Sequence, residues 1–364
     1  MKRSSFLVMI LVICFVLNGC GGGNKAIESP KPFASWSGTI AFRQDNFASE
    51  QPDLWLITPS EKKLTSHITS GWGSVRWSPD GNYLAFIDNK SNLVMVNKDG
   101  SMHHQFGRVD KQFSWTNNSQ YVISGVYDDG IYSYSISGEQ SRALETGIFA
   151  YDHNPVSSRD GQWVYGLLHT YGTTCDIYRI KTDKLIAGNN YHRDCDYLVE
   201  LTDTGYNEPI QLEPTNDGKI IVGQGTSIYL LYPEEKIIEK LPIDGALYLK
   251  ISPSGLYLGA IATNQVNITK IGTWETIVKI PVPETPFFEE ALVFTWAPDS
   301  RSIAISSIHY NRQDFSQSYN IMYIWRFNDR RLQEILRVTA GTNSQQSLFL
   351  QATGEMFSSL SWKN

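Results

Sequence analysis

The sequence predicts an all-β chain folded as a seven-bladed β-propeller in which strands from both chain ends share one blade. Three observations carry this expectation. A short corner motif returns along the chain about every 40 residues, the spacing of a four-stranded propeller blade. Each copy is followed by a β-rich apolar run, and half-copies at the two ends complete one another.

The corner motif is clearest at Trp77-Ser78-Pro79-Asp80-Gly81 and Trp296-Ala297-Pro298-Asp299-Ser300. Weaker copies are Trp115-Thr116-Asn117-Asn118-Ser119, Ser157-Ser158-Arg159-Asp160-Gly161, Pro214-Thr215-Asn216-Asp217-Gly218 and Ile251-Ser252-Pro253-Ser254-Gly255. Its closing Asp-Gly or Asp-Ser pair suits a hairpin turn, because Gly, Asn and Asp tolerate positive φ. The runs that follow, such as Tyr83-Leu84-Ala85-Phe86-Ile87 and Tyr257-Leu258-Gly259-Ala260-Ile261, are rich in β-formers and read as strands. Outer segments, each an apolar strand broken by a polar turn, begin at Leu54, Leu93, Ile131, Ile177, Ile228, Val266 and Met322. Seven outer segments beside six corners leave one corner missing. The ends supply it: Ser359-Leu360-Ser361-Trp362 matches Ser74-Val75-Arg76-Trp77, and Thr39-Ile40-Ala41-Phe42 matches Tyr83-Leu84-Ala85-Phe86. Closing a ring in this way removes exposed sheet edges. A two-sheet sandwich is the alternative, and the fixed period disfavours it.

The Trp-Ser-Pro-Asp-Gly corner followed by an Ile-Ala-Phe-like strand resembles the TolB-type β-propellers, and the resemblance covers about nine-tenths of the chain at the blade period. Trp77, Trp115, Trp296 and Trp362 occupy the repeated inner-strand end, which makes them expected packing residues between blades.

Residues 1–19 read as an export signal, with Lys2-Arg3 ahead of an apolar stretch from Phe6 to Leu17. Leu17-Asn18-Gly19-Cys20 resembles the bacterial lipobox, which implies cleavage before Cys20 and acylation of it. Several acyl chains give stable anchoring where one would not. Residues 20–34, with Gly21-Gly22-Gly23 and Pro30-Lys31-Pro32, read as a flexible tether, and 35–364 as the propeller. The expected location is therefore extracytoplasmic, held to a bacterial membrane by lipid at the periplasmic face of an outer membrane or at the cell surface.

A net charge of -6 with 19% charged residues leaves no basic stripe, which argues against nucleic acid. Outside the leader and Cys20 only Cys175 and Cys195 remain. Export permits a disulfide. Flanking an outer hairpin from Asp176 to Asn190, the pair is expected to form one; two buried thiols are the alternative.

A propeller emits its second-to-third-strand loops and its blade-to-blade loops on one side, and its corners and outer turns on the other. The longest insertions, Arg43 to Asp53, His169 to Cys175, Tyr191 to Glu208 and Ile308 to Asn320, are all assigned to the first side. Insertions gathered on one face of a repeat fold mark its binding face. They are rich in Tyr, Asn, Arg and Asp, a composition suited to recognition. Tyr191, Arg193, Asp194, Tyr310, Arg312 and Asp314 are the candidate binding residues, with an envelope or surface protein as partner and carbohydrate as the second ligand class.

The sequence contains no Gly-x-Ser-x-Gly elbow, His-Glu-x-x-His, Cys-x-x-Cys or phosphate-cradling loop, so no catalytic residue, metal or cofactor is expected. The alternative function, a metal-dependent polysaccharide lyase, requires His169, His192 and His309 to meet at the funnel, in the manner of the pectate-oligomer lyases that share this fold.

Overall fold

The structure is a computed structural model. It describes residues 37–44, 53–58, 62–68, 75–109, 112–126, 129–145, 155–169, 174–188, 190–202, 210–243, 245, 248–262, 264–282, 288–311, 319–339 and 360–363. The described strands form seven antiparallel sheets arranged as a ring, a seven-bladed β-propeller.

Blade one holds β1 (Thr39–Gln44), β2 (Asp53–Ile57) and β3 (Lys62–Ile68), with β29 (Leu360–Lys363) as its innermost strand. Blade two is β4 (Val75–Trp77), β5 (Tyr83–Ile87), β6 (Asn92–Asn97) and β7 (Met102–Arg108). Blade three is β8 (Phe113–Trp115), β9 (Tyr121–Val126), β10 (Gly130–Ser135) and β11 (Gln140–Glu145). Blade four is β12 (Val156–Ser157), β13 (Trp163–His169), β14 (Cys175–Lys181) and β16 (Asp196–Leu201). Its third-to-fourth connection contains helix α1 (Thr182–Ala187) and the short strand β15 (Asn190–Tyr191). Blade five is β17 (Ile210–Pro214) to β20 (Ile237–Lys240), and blade six is β21 (Leu249–Ile251) to β24 (Glu275–Pro281). Blade seven is β25 (Phe288–Trp296), β26 (Ser302–Asn311), β27 (Tyr319–Arg326) and β28 (Leu332–Thr339).

The ends close the ring as the sequence predicts. β29 pairs antiparallel with β1 in the register Ile40↔Trp362 and packs against both β4 and β25. Trp362 Nε1 donates to Ser37 O at 2.9 Å, and Lys363 Nζ reaches Gly81 O of blade two at 2.9 Å.

Five of the six corners are built by a hydroxyl rather than by the Trp, the exception being the corner with Ala297. Ser78 Oγ donates to Asp80 Oδ1 at 2.6 Å and accepts from Tyr83 N at 3.0 Å. Thr116, Ser158 and Thr215 repeat the hydroxyl-to-side-chain bond, the last two in corners whose Trp has been lost. The turn needs positive φ. Gly81 supplies it at 70°, whereas Ser119 and Ser300 adopt 61° and 59° with a Cβ in place. Their hydroxyls offset that strain, since Ser119 Oγ accepts from Asp80 N at 3.0 Å and Ser300 Oγ from Ser254 N at 2.8 Å, each in the preceding blade.

The core lies between blades. Val75, Trp77 and Phe86 pack with Ala41 and Leu54 across blades one and two, while Phe294, Trp296 and Ile305 pack with Ile261 and Val266 across blades six and seven. Trp115 and Trp296, 5% and 3% exposed, send their indole N–H to Arg76 O and Lys250 O of the preceding blade. They are packing residues, as their repeated position predicts.

Candidate functional site

Antiparallel pairing alternates the two sides of the ring along the chain. Corners and third-to-fourth turns fall on one side, here the corner side; second-to-third loops and blade-to-blade loops fall on the other, the loop side.

This alternation divides the six candidate binding residues. Tyr310 lies near the end of β26, at the second-to-third-strand connection, and so belongs to the loop side. Arg312 and Asp314 themselves fall outside the described residues. Tyr191, Arg193 and Asp194 instead lie in the connection from β14 to β16, which is a third-to-fourth turn and therefore on the corner side. The expectation that the insertion from Tyr191 belongs with the loops is corrected. The sequence places the fourth strand too early because α1 and β15 intervene before it.

That corner-side connection is tied to the neighbouring blade. β15 runs parallel to β11, Leu144 opposite Asn190, and adds a fifth strand to blade three. Asn190 Nδ2 donates to Ala143 O at 2.9 Å and Lys184 O at 2.7 Å. Leu185 of α1 is fully buried among Tyr178, Ile180 and Leu144. Beyond β15 the chain makes a 3-10 turn in which Tyr191 N donates to Asp194 Oδ2 at 2.7 Å and the Arg193 guanidinium covers the Tyr191 ring at 4.7 Å. The three candidates are thus one self-contacting cluster.

The same detour corrects the cysteine pairing. Cys175 opposes Leu201, while Arg179 opposes Asp196, so Cys175 and Cys195 sit at opposite ends of the β14–β16 ladder. At about 3.4 Å per residue that is roughly 15 Å, beyond the 7 Å or so that a disulfide spans. Each sulfur is a thiol, Cys175 in the core between blades four and five and Cys195 against the core between blades three and four. Burial, with Asp194 adding repulsion, pushes the Cys195 thiol up to about 12.

The histidines divide in the same way. His169 and His309 lie at loop-side strand ends, and His192 in the corner-side turn. Among the described residues no three metal-ligand side chains come together, and no helix is long and apolar enough to cross a membrane. Cys20 and the tether lie outside the described residues.

On the loop side the dominant described feature is blade seven. The inner strands β4, β8 and β21 hold three residues each, whereas β25 holds nine and β26 ten. Phe288 to Leu292 pair with Asn311 to Ser307, and Ile308 and His309 pair with Asn320 and Tyr319. The segment from Ile308, expected as a loop, begins as strand. Against these three-residue strands, about five further residues at 3.4 Å make an extension of roughly 17 Å.

Two groups absent from the sequence expectations organise the corner side. Arg159 stands where other corners carry Pro or Asn. Its Nε donates to Pro214 O at 3.0 Å, its Nη1 to Pro253 O at 3.0 Å and its Nη2 to Ser252 O at 2.9 Å, linking blade four to blades five and six. Burial pulls its pKa below the ordinary arginine value. Arg179, its side chain 7% exposed, covers the Trp163 ring at 4.2 Å and pairs with Asp196 at 2.9 Å and Glu234 at 2.6 Å. Lys236 Nζ bridges Asp196 Oδ1 and Tyr197 O, both at 2.6 Å. The signal for both arginines was a cation at a repeat position otherwise polar or apolar, which only the repeat alignment makes visible.

No protein-family model matches the chain, and no curated protein matches it. The fold and the asymmetry of its two sides define the molecule as a seven-bladed β-propeller with one elaborated blade on each side.

Proposed function

We propose that this chain is a lipid-tethered, extracytoplasmic scaffold that binds another envelope or surface protein through its loop side, with blade seven's ladder as the principal contact. The ladder carries the reading. The four strands of blade seven continue their pairing past the lengths of the three-residue inner strands, on the side that carries the connection from β26 to β27. Rigid strands hold a recognition loop more precisely than a long loop does. The TolB-type resemblance and the lipobox-like Cys20 supply the compartment.

The test is crosslinking in intact cells with identification of partners, run on two variant sets. Changing Tyr310→Ala, Arg312→Glu and Asp314→Lys together should abolish capture, whereas Tyr191→Ala, Arg193→Glu and Asp194→Lys should spare it. The reverse pattern would move recognition to the corner side. Cys20→Ser should release the protein from the membrane fraction, and unchanged detergent partitioning would remove the anchor from the proposal.

A further inference from the structure

Five large apolar side chains are exposed among the described residues: Met102, Tyr191, Tyr197, Ile237 and Leu256. All five belong to the corner side. Met102 and Ile237 are the first residues of β7 and β20, directly after third-to-fourth turns. Tyr191 lies in the third-to-fourth connection of blade four. Tyr197, the second residue of β16, is level with the matching turn of blade five, whose Lys236 Nζ donates to Tyr197 O at 2.6 Å. Leu256 follows the corner glycine of blade six, and its carbonyl accepts from Ile271 N at 2.9 Å. Single exposed apolar groups are ordinary on a protein surface. Gathered on one side and spread over blades two, four, five and six, these suit a flat surface that touches several points together.

The chain enters the propeller on the same side. Thr39 pairs with Lys363, and Lys363 Nζ donates to Gly81 O in the corner of blade two at 2.9 Å. Ser37 O accepts from Trp362 Nε1 at 2.9 Å, so Ser37 and Gly38 stand at the corner-side end of β1. A lipid on Cys20 would be joined to that end by residues 20–36. A coil of that length averages about 20–25 Å from end to end.

We propose that the corner side is a docking surface for the lipid bilayer, with Met102, Tyr191, Tyr197, Ile237 and Leu256 as the side chains that enter its headgroup layer. This docking, which rests on the lipid anchor proposed above, turns the loop side and blade seven away from the membrane and toward a partner. The tether makes the contact intramolecular, so apolar points too weak to hold a membrane from solution suffice. The Arg193 guanidinium covers the Tyr191 ring at 4.7 Å and Lys236 precedes Ile237, which places cations beside apolar tips, as at a membrane–water boundary. A net charge of -6 gives the chain no general attraction to anionic lipid, so the contact is apolar in origin.

Photocrosslinking of the lipidated chain in phosphatidylcholine vesicles tests it. Benzoylphenylalanine replaces one residue at a time: Met102, Ile237 or Leu256 on the corner side, or Arg108 at the loop-side end of β7. Met102 and Arg108 end the same strand, roughly 20 Å apart. Lipid adducts are expected about tenfold more often at each corner-side position than at 108, a preference of about 1.4 kcal/mol. Ile237→Ser with Leu256→Ser should lower the yield at Met102 severalfold while the protein still floats with the vesicles. Each corner-side position reads the docking independently, so a variant that fails to fold leaves the others to decide. Flotation with equal yields at the two ends of β7, or a yield at Met102 unchanged in the double variant, would overturn the docking and leave the anchor standing. Loss of flotation would remove the anchor, and the docking with it.

Discussion

Blades four and seven depart from the common blade in opposite directions, and the difference shows how a repeat fold separates stability from recognition. Blade four inserts a helix and a strand into its third-to-fourth turn, and the insertion folds back, burying Leu185 and pairing β15 with blade three. Blade seven lengthens its strands on the loop side, where among the described residues they pair only with one another. Both insertions offer Tyr, Arg and Asp. Composition does not separate them; the parity of the connection does, because it sets the side, and the backbone partners decide whether the insertion is absorbed into the core.

The comparison breaks most readily at Leu185. Leu185→Ala should destabilise the protein by about 2–5 kcal/mol, the cost of truncating a fully buried leucine, read as a lower midpoint in chemical denaturation. A change under about 0.5 kcal/mol would mean that α1 is an ornament, no different in kind from the ladder tip.

Asn190→Ala comes next. It leaves Ala143 O and Lys184 O without their amide donor and should cost about 1–3 kcal/mol. Hydrogen exchange should then rise in β15 and β11 before it rises elsewhere. Uniform exchange across blades three and four would show that β15 does not guard that edge.

A smaller effect, visible only in acid, is expected from the clamp at Asp196. Burial opposes its charge, but hydrogen bonds from Lys236 and Arg179 outweigh this and hold its pKa below the ordinary aspartate value. The stabilisation is therefore fully present above the unfolded-state pKa and is lost as pH falls through the lower folded-state value. Asp196→Asn should flatten that part of the acid limb in a melting-temperature profile. An unchanged limb would place the acid sensitivity in another carboxylate.

The smallest effect belongs to blade seven. Arg312→Glu with Asp314→Lys should move stability by no more than about 0.5 kcal/mol while abolishing partner capture. A loss comparable to that of Leu185→Ala would show that the tip is packed after all, and the contrast between the two blades would disappear.

Much of the architecture was legible because a repeat reports each strand several times over. The starts of the outer segments, the six corners and the shared blade stand where the sequence places them, since periodicity, turn chemistry and apolar alternation agree at every copy. The weakest point was the stretch after Lys181. A short helix and a two-residue strand carry too little periodicity to be seen, and misreading them put Tyr191 on the wrong side and Cys175 near Cys195.

The sequence by itself determined the number of blades, their order and the closure, because each depends on local pattern repeated at a fixed period. Only the tertiary structure decided which side each insertion occupies and which thiols and histidines lie apart. Those are relations between residues far apart in the chain, such as Arg159 with Pro253 or Ser361 with Trp77. They arise when seven sheets close into one ring and are written in no single blade.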